Sequence, residues 1–224
     1  MHDAFKTCLE NTLKERMTQD LFVFHLVSSE WDNRRNRSIE RAVKYAQFRY
    51  NASLEEIDYT FERGLGRNRI ERLAALEFVR DRKDLFIIGP TGTGKSYLAT
   101  ALGNKACQDG YRVMYASTGR LISQLKIAKA KGTILNELKR VERADLLILD
   151  DFGMQAFDSQ GRGIIMDIIE GTMITSQVPV KSWHNIIGEK TVADAILDRL
   201  VHYSLRVELF GESIRKRKNK NVFL

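Results

Sequence analysis

Cysteine and proline are nearly missing from this chain, with two of each in 224 residues. The cysteines, Cys8 and Cys107, have neither metal-ligand nor redox spacing, which excludes a disulfide framework or zinc site and suits a reducing cytoplasm. Two prolines, with no low-complexity tract and no internal repeat, exclude a modular array or a proline-rich linker. No apolar run approaches the ~20 residues needed to span a bilayer. The opening Met-His-Asp-Ala-Phe-Lys lacks the charged-then-apolar form of an export signal. The expectation is a soluble, cytoplasmic protein with no membrane contact. Histidine is also scarce; His2, His25, His184 and His202 lack ligand spacing and read as structural.

What the chain does have is clustered positive charge. The net charge is +7, which favours an acidic partner such as nucleic acid. Residues 112–143 carry eight Lys and Arg against two Asp and Glu, a balance of +6. Residues 31–50 and 203–224 each carry six against two, a balance of +4. Arg34, Arg37, Arg41 and Lys44 recur at three and four residues and so share one helix face, with Ile39, Val43 and Ala46 off that stripe. A solvated face and a phosphate-contacting face both fit.

Residues 89–96, Gly-Pro-Thr-Gly-Thr-Gly-Lys-Ser, follow the apolar run Asp84-Leu-Phe-Ile-Ile. This is a complete Walker A spacing between a short buried strand and a helical period. Gly89, Gly92 and Gly94, with Pro90, Thr91 and Thr93 between them, let successive backbone N–H groups point at phosphate oxygens. Lys95 reaches the β- and γ-phosphates, and the Ser96 hydroxyl can ligate Mg²⁺. ATP and Mg²⁺ are therefore the expected ligands. Leu146-Leu-Ile-Leu-Asp-Asp has the form of a Walker B strand. Asp150 would hold Mg²⁺ through its water shell and Asp151 would orient the attacking water. Many P-loop ATPases place Glu at the second position, so Asp151 is one methylene short.

From Asp84 onward strands alternate with helices. The pattern predicts strands at 85–88, 111–116, 145–149, 172–176 and 205–209, with helices behind the P-loop to 108, over a basic stretch from 118 to 143, over 159–170, and as a pair before the last strand. Such alternation predicts a parallel five-stranded sheet in a three-layer αβα core, with ligands at the carboxyl ends of the strands. Placing 172–176 beside the Walker B strand would bring Gln177 or Ser176 near the γ-phosphate. Ala193, Ile196, Leu197, Leu200 and Val201 form an inward helical stripe over Thr191 to His202, which turns Arg199 outward. An outward arginine fits either an ordinary surface residue or a finger for a neighbour's nucleotide. Four segments result: a helical partner or DNA-binding region at 1–50, in which Leu9, Leu13, Met17, Leu21 and Phe24 follow helical spacing; a linker and adenine-side segment at 51–83; the ATPase core at 84–214; and a basic tail at 215–224. Trp183 reads as core packing.

These motifs together resemble the AAA+ ATPases of the initiator and helicase-loader group, most of all the IstB-type helpers of insertion-sequence transposition. The resemblance runs from about Trp31 to Lys218. Beyond the Walker motifs it is carried by Asp58-Tyr, Gly64-Leu, Gly161-Arg-Gly, Thr175-Ser-Gln-Val-Pro-Val, Ala193-Asp-Ala-Ile-Leu-Asp-Arg-Leu-Val-His and Gly211-Glu-Ser-Ile-Arg-Lys. It implies an AAA+ core without a helical lid, ATP-dependent assembly of a homo-oligomer on duplex DNA, and delivery of that DNA to a transposase. It further implies Gln177 as first sensor, Arg199 as a finger acting in trans, and Arg215 as a second sensor or tail contact. In the extra helical element at 117–143, Lys126, Lys129 and Lys131 would meet DNA phosphates. The chain departs from the family at Asp167-Ile-Ile-Glu-Gly-Thr-Met, where about seven residues are absent and only Gly171 remains for the turn. The alternative is a DnaC-type helicase loader that binds single-stranded DNA and a replicative helicase. A small-molecule kinase would show an arginine-rich lid, which is not seen, and a nucleotide-locked DNA-binding module remains compatible with Asp151.

Overall fold

Four runs, Leu85–Ile88, Val113–Ser117, Leu146–Asp150 and Thr172–Ser176, are apolar or small almost throughout, the composition of strands covered on both faces. In the computed structural model, which describes residues 5–6, 18–60, 63–201 and 204–214, these runs are β1, β2, β3 and β4, and Leu205–Glu208 is β5. Every residue of β1, β3 and β4 is buried, whereas β5 buries only Val207. All pairings are parallel, in the order β2-β3-β4-β1-β5. The expected five-stranded parallel sheet is therefore present, with boundaries moved by one or two residues at β2, β3 and β5.

The chain divides into two compact units, residues 1–42 and 43–224. The first contains most of α1 (Gln19–Ala46). Leu21 and Phe24 lie on this helix and are exposed, as are Val27 and Trp31; Leu9, Leu13 and Met17 lie outside the described residues. The helix ends where Gln47 takes a left-handed φ of 57°.

The second unit holds the sheet and its crossovers. Helix α4 (Lys95–Gln108) follows β1, α5 (Thr118–Ala130) and α6 (Ile134–Glu142) follow β2, α7 (Ser159–Ile168) follows β3, and α8 (Trp183–Ile187) and α9 (Lys190–Val201) follow β4. The basic stretch 118–143 is thus two helices, parted at Gly132 with φ 72°. The segment 51–83, expected as a linker and adenine-side segment, contains the helices α2 (Arg67–Ala74) and α3 (Glu77–Arg80). Its charged residues conceal the buried set Ile70, Leu73, Leu76, Phe78 and Val79. Trp183 is fully buried and meets the rings of Phe86 at 5.0 Å and Phe152 at 4.7 Å, so it is core as expected. Among the described residues no helix is long and apolar enough to cross a membrane.

The short crossover after β3 closes because α7 stops at Ile168, two residues before the expected end. Ten residues at 1.5 Å rise give ~15 Å, close to the length of a five-residue strand. Ile169 is already extended and Gly171 turns with φ 61°. The Asp84 carboxylate then receives the backbone N–H and hydroxyl of Thr172 at 2.7 and 2.9 Å, which anchors the incoming strand.

Candidate nucleotide site

The loop between β1 and α4 has to double back within six residues, and its glycines make that feasible. Gly92 has φ 81°, and a Cβ there would sit 2.1 Å from Ser213 Oγ. At Gly89 a Cβ would lie 2.2 Å from the carbonyl oxygen of Leu209. Both contacts come from the segment after β5, which also donates Ile214 N–H to Gly92 O at 3.0 Å. The phosphate loop is therefore packed against the end of the core.

Lys95 opens α4, is 5% exposed, and donates from Nζ to Pro90 O at 2.8 Å. Burial lowers its pKa, and the nearby Asp151 and Asp150 oppose that shift. Thr93 Oγ1 donates to the same carbonyl at 2.9 Å. Ser96 Oγ donates to Asp150 Oδ1 at 2.7 Å, although the two residues are 54 positions apart. Asp150 ends β3 and is 1% exposed. Thr175 Oγ1 donates to its Oδ1 and Tyr115 OH to its Oδ2, while Thr118 Oγ1 donates to its backbone carbonyl at 2.9 Å. Burial, and then the hydrogen bond to Asp150, push the Tyr115 phenol far above its ordinary pKa.

Asp151 follows in a left-handed turn with φ 57°, and its N–H is 3.2 Å from Thr175 Oγ1. Because β4 lies between β3 and β1, Gln177 emerges beside both Walker elements. Thr91, Gly92, Gly94, Lys95, Ser96, Asp151 and Gln177 all line a cleft of about 610 Å³, within the roughly 300–1,000 Å³ usual for small-molecule sites. The rest of the lining includes Tyr50, Ile57, Asp58, Arg63, Tyr97 and Ile214. Ser176 is turned away: its hydroxyl donates to Phe152 O at 2.7 Å and accepts from Val178 N–H at 3.0 Å.

Arg63 and Tyr115 carry no motif in the sequence, and Thr175 opens the motif Thr175-Ser-Gln without a role of its own. Arg63 is 8% exposed and donates to Thr93 O at 3.3 Å and Asp58 O at 2.9 Å; burial lowers its pKa. It falls in a segment without periodicity. Tyr115 looks like any strand residue, and only the pairing of β2 with β3 brings its hydroxyl to Asp150.

The remaining expected residues are spread over other surfaces. Arg199 is exposed on α9, outside the cleft lining, and its Nη1 donates to Met166 O at 3.2 Å. Arg215 lies outside the described residues. Arg34, Arg37, Arg41 and Lys44 are exposed on α1; Arg34 pairs with Glu30 at 2.8 Å, and Arg37 and Arg41 donate to Asn33 O and Arg37 O. Lys129 and Lys131 are exposed, but Lys126 is half-buried and pairs with Asp158 at 2.6 Å. The Asp158 carboxylate thus engages the Lys126 ammonium in a solvent-accessible ion pair.

Comparison with known proteins agrees with this geometry. The family described as IstB-like ATP binding protein matches residues 1–222. An insertion sequence ATP-binding protein of Sinorhizobium fredii is 38% identical over 226 residues, covering 98% of this chain and 92% of its own length. The insertion sequence IS21 ATP-binding protein of Pseudomonas aeruginosa is 31% identical over 223 residues, covering 97% and 84%. Among solved structures, DnaI superposes with a TM-score of 0.59 at 24% identity, over 71% of this chain and 91% of that one.

Proposed function

Because this chain belongs to the IstB-like ATP binding proteins, we propose that its ATPase cycle drives assembly on duplex DNA and stimulates a transposase in insertion-sequence transposition. It is an ATPase with an AAA+ α/β fold. The observation that carries the proposal is the convergence of Lys95, Ser96, Asp151 and Gln177 on one cleft, with Asp150 hydrogen-bonded to Ser96. The relatives' insertion-sequence context supports the transposition role.

The donors present suit a hard divalent cation, since the Ser96 hydroxyl and Asp150 carboxylate are both oxygen ligands and already adjacent. Mg²⁺ held there would neutralise charge on the β- and γ-phosphates. Lys95 would leave the Pro90 carbonyl for a phosphate oxygen. Asp151 would orient the attacking water, and Gln177, just past the strand between the two Walker strands, would register loss of the γ-phosphate. Arg199 would reach the nucleotide of a neighbouring copy, which makes the active species a homo-oligomer formed with ATP. Lys129 and Lys131, with Arg34, Arg37, Arg41 and Lys44, would contact DNA phosphates.

The test is fluorescence anisotropy of labelled duplex and single-stranded DNA of equal length, with ATP, with ADP, and with the Lys95→Ala variant, at two salt concentrations. ATP-dependent preference for duplex that the variant loses is the expected result. Preference for single strands would replace this reading with a helicase loader, and no ATP-dependent binding to either would overturn both.

A further inference from the structure

Asp150 is held at both carboxylate oxygens. Ser96 and Thr175 hydroxyls donate to Oδ1, and the Tyr115 hydroxyl donates to Oδ2. The ladder explains how Tyr115 arrives there. Ser117 is the direct partner of Asp150 across β2 and β3, and Tyr115, two residues earlier, projects from the same face. That is the diagonal cross-strand position, ~7–8 Å away and within reach of an aromatic side chain. The ring is fixed on its other side by Phe48, whose centroid lies 6.2 Å away in an edge-to-face contact. Phe48 itself fills the space over Gly103, where a Cβ would stand 2.7 Å from its ring. Packing accounts for an aromatic ring at position 115; it does not account for the hydroxyl, which donates to the carboxylate.

We propose that Tyr115 is a positioning residue of the nucleotide site, whose hydroxyl stops rotation of the Asp150 carboxylate and keeps Oδ1 turned toward Ser96. The inference rests on the reading of Ser96 and Asp150 as the Mg²⁺-holding pair. Carboxylates that bind metals are commonly oriented by outer hydrogen bonds, and losing one typically costs ~10–100-fold in metal affinity. Without the hydroxyl, Oδ2 would be left buried and unpaired, and the carboxylate would turn away from the Ser96 side.

The measurement is the affinity of a fluorescent ATP analogue, followed by anisotropy, in EDTA and across a Mg²⁺ titration, for wild type, Tyr115→Phe and Asp150→Asn. Tyr115→Phe should leave the affinity in EDTA within about twofold of wild type and raise the Mg²⁺ midpoint about tenfold. A wild-type midpoint in Tyr115→Phe, alongside a shifted one in Asp150→Asn, would overturn the positioning role and leave the Mg²⁺ reading intact. A wild-type midpoint in Asp150→Asn would overturn the Mg²⁺ reading itself. Should Tyr115→Phe not fold, Phe48→Ala keeps the hydroxyl but frees the ring. It should raise the midpoint too, and an unchanged midpoint there would equally overturn the role.

Discussion

At the scale of single residues, Asp84 shows how a carboxylate can be buried for architecture and leave a signature in pH. It is 8% exposed, and burial raises its pKa above the ordinary 3.8 despite two hydrogen bonds from Thr172; Glu170 adds to the rise. A raised acid favours the protonated form in the folded state, so its contribution to stability is complete below about pH 4 and is lost as pH rises through the raised value. Both Thr172 donors meet Oδ1, which an asparagine oxygen can replace. Asp84→Asn should therefore melt at or above wild type at pH 8, with the gap closing toward pH 3 in thermal scans. A variant less stable than wild type at pH 8 would show that the charge itself is needed. At this scale, contiguity decides how much of the site the sequence displays. Gly89 to Ser96 and Asp150-Asp151 are contiguous, and contiguous residues announce their chemistry by spacing. Arg63 reaches the cleft, and Tyr115 and Thr175 reach the Asp150 carboxylate, from segments whose composition says only linker or strand.

At the scale of elements, α5 and α7 meet through one carboxylate with two duties. Asp158 caps α7 by accepting from Gly161 N–H at 2.8 Å and pairs with Lys126 of α5 at 2.6 Å. The cap is the stronger contribution, since N-caps are worth ~1 kcal/mol and exposed ion pairs ~0–1 kcal/mol. Asp158→Ala should lower Tm by about 2–4 °C. Lys126→Ala should change duplex affinity little, whereas the double variant Lys129→Ala/Lys131→Ala should weaken it and flatten the dependence of log K on log salt by about 2. Equal losses from Lys126→Ala and from the double variant would return Lys126 to the DNA face. Long apolar strands and the 3.6-residue stripe of α9 were legible beforehand. The pair α2 and α3 was not, because Arg67, Asn68, Arg69, Glu71 and Arg72 dilute Ile70 and Leu73 below recognition.

At the scale of the whole molecule, the proposed role of Arg199 as a finger acting in trans would leave one chain an incomplete enzyme. Arg199 is exposed on α9 with a single backbone tie to Met166, and it lies outside the lining of its own cleft. An arginine supplied by a neighbour is worth on the order of 10³ in turnover. Arg199→Ala should lose about that much ATPase activity while binding nucleotide normally. Mixing it with Lys95→Ala should restore part of the rate, because one partner then supplies the arginine and the other an intact phosphate loop. No recovery on mixing would confine Arg199 to its own subunit. The sheet order has a consequence for how the protein comes into being. β1 carries the phosphate loop, yet its two neighbours, β4 and β5, are made after it, and Ile88 is joined to Glu208. At roughly 5–20 residues per second, the ribosome must run on the order of ten seconds past β1 before its second edge is paired. A nascent chain thus holds a finished Walker A sequence with no finished pocket. The cleft is complete only once translation has passed Ile214, which lines it.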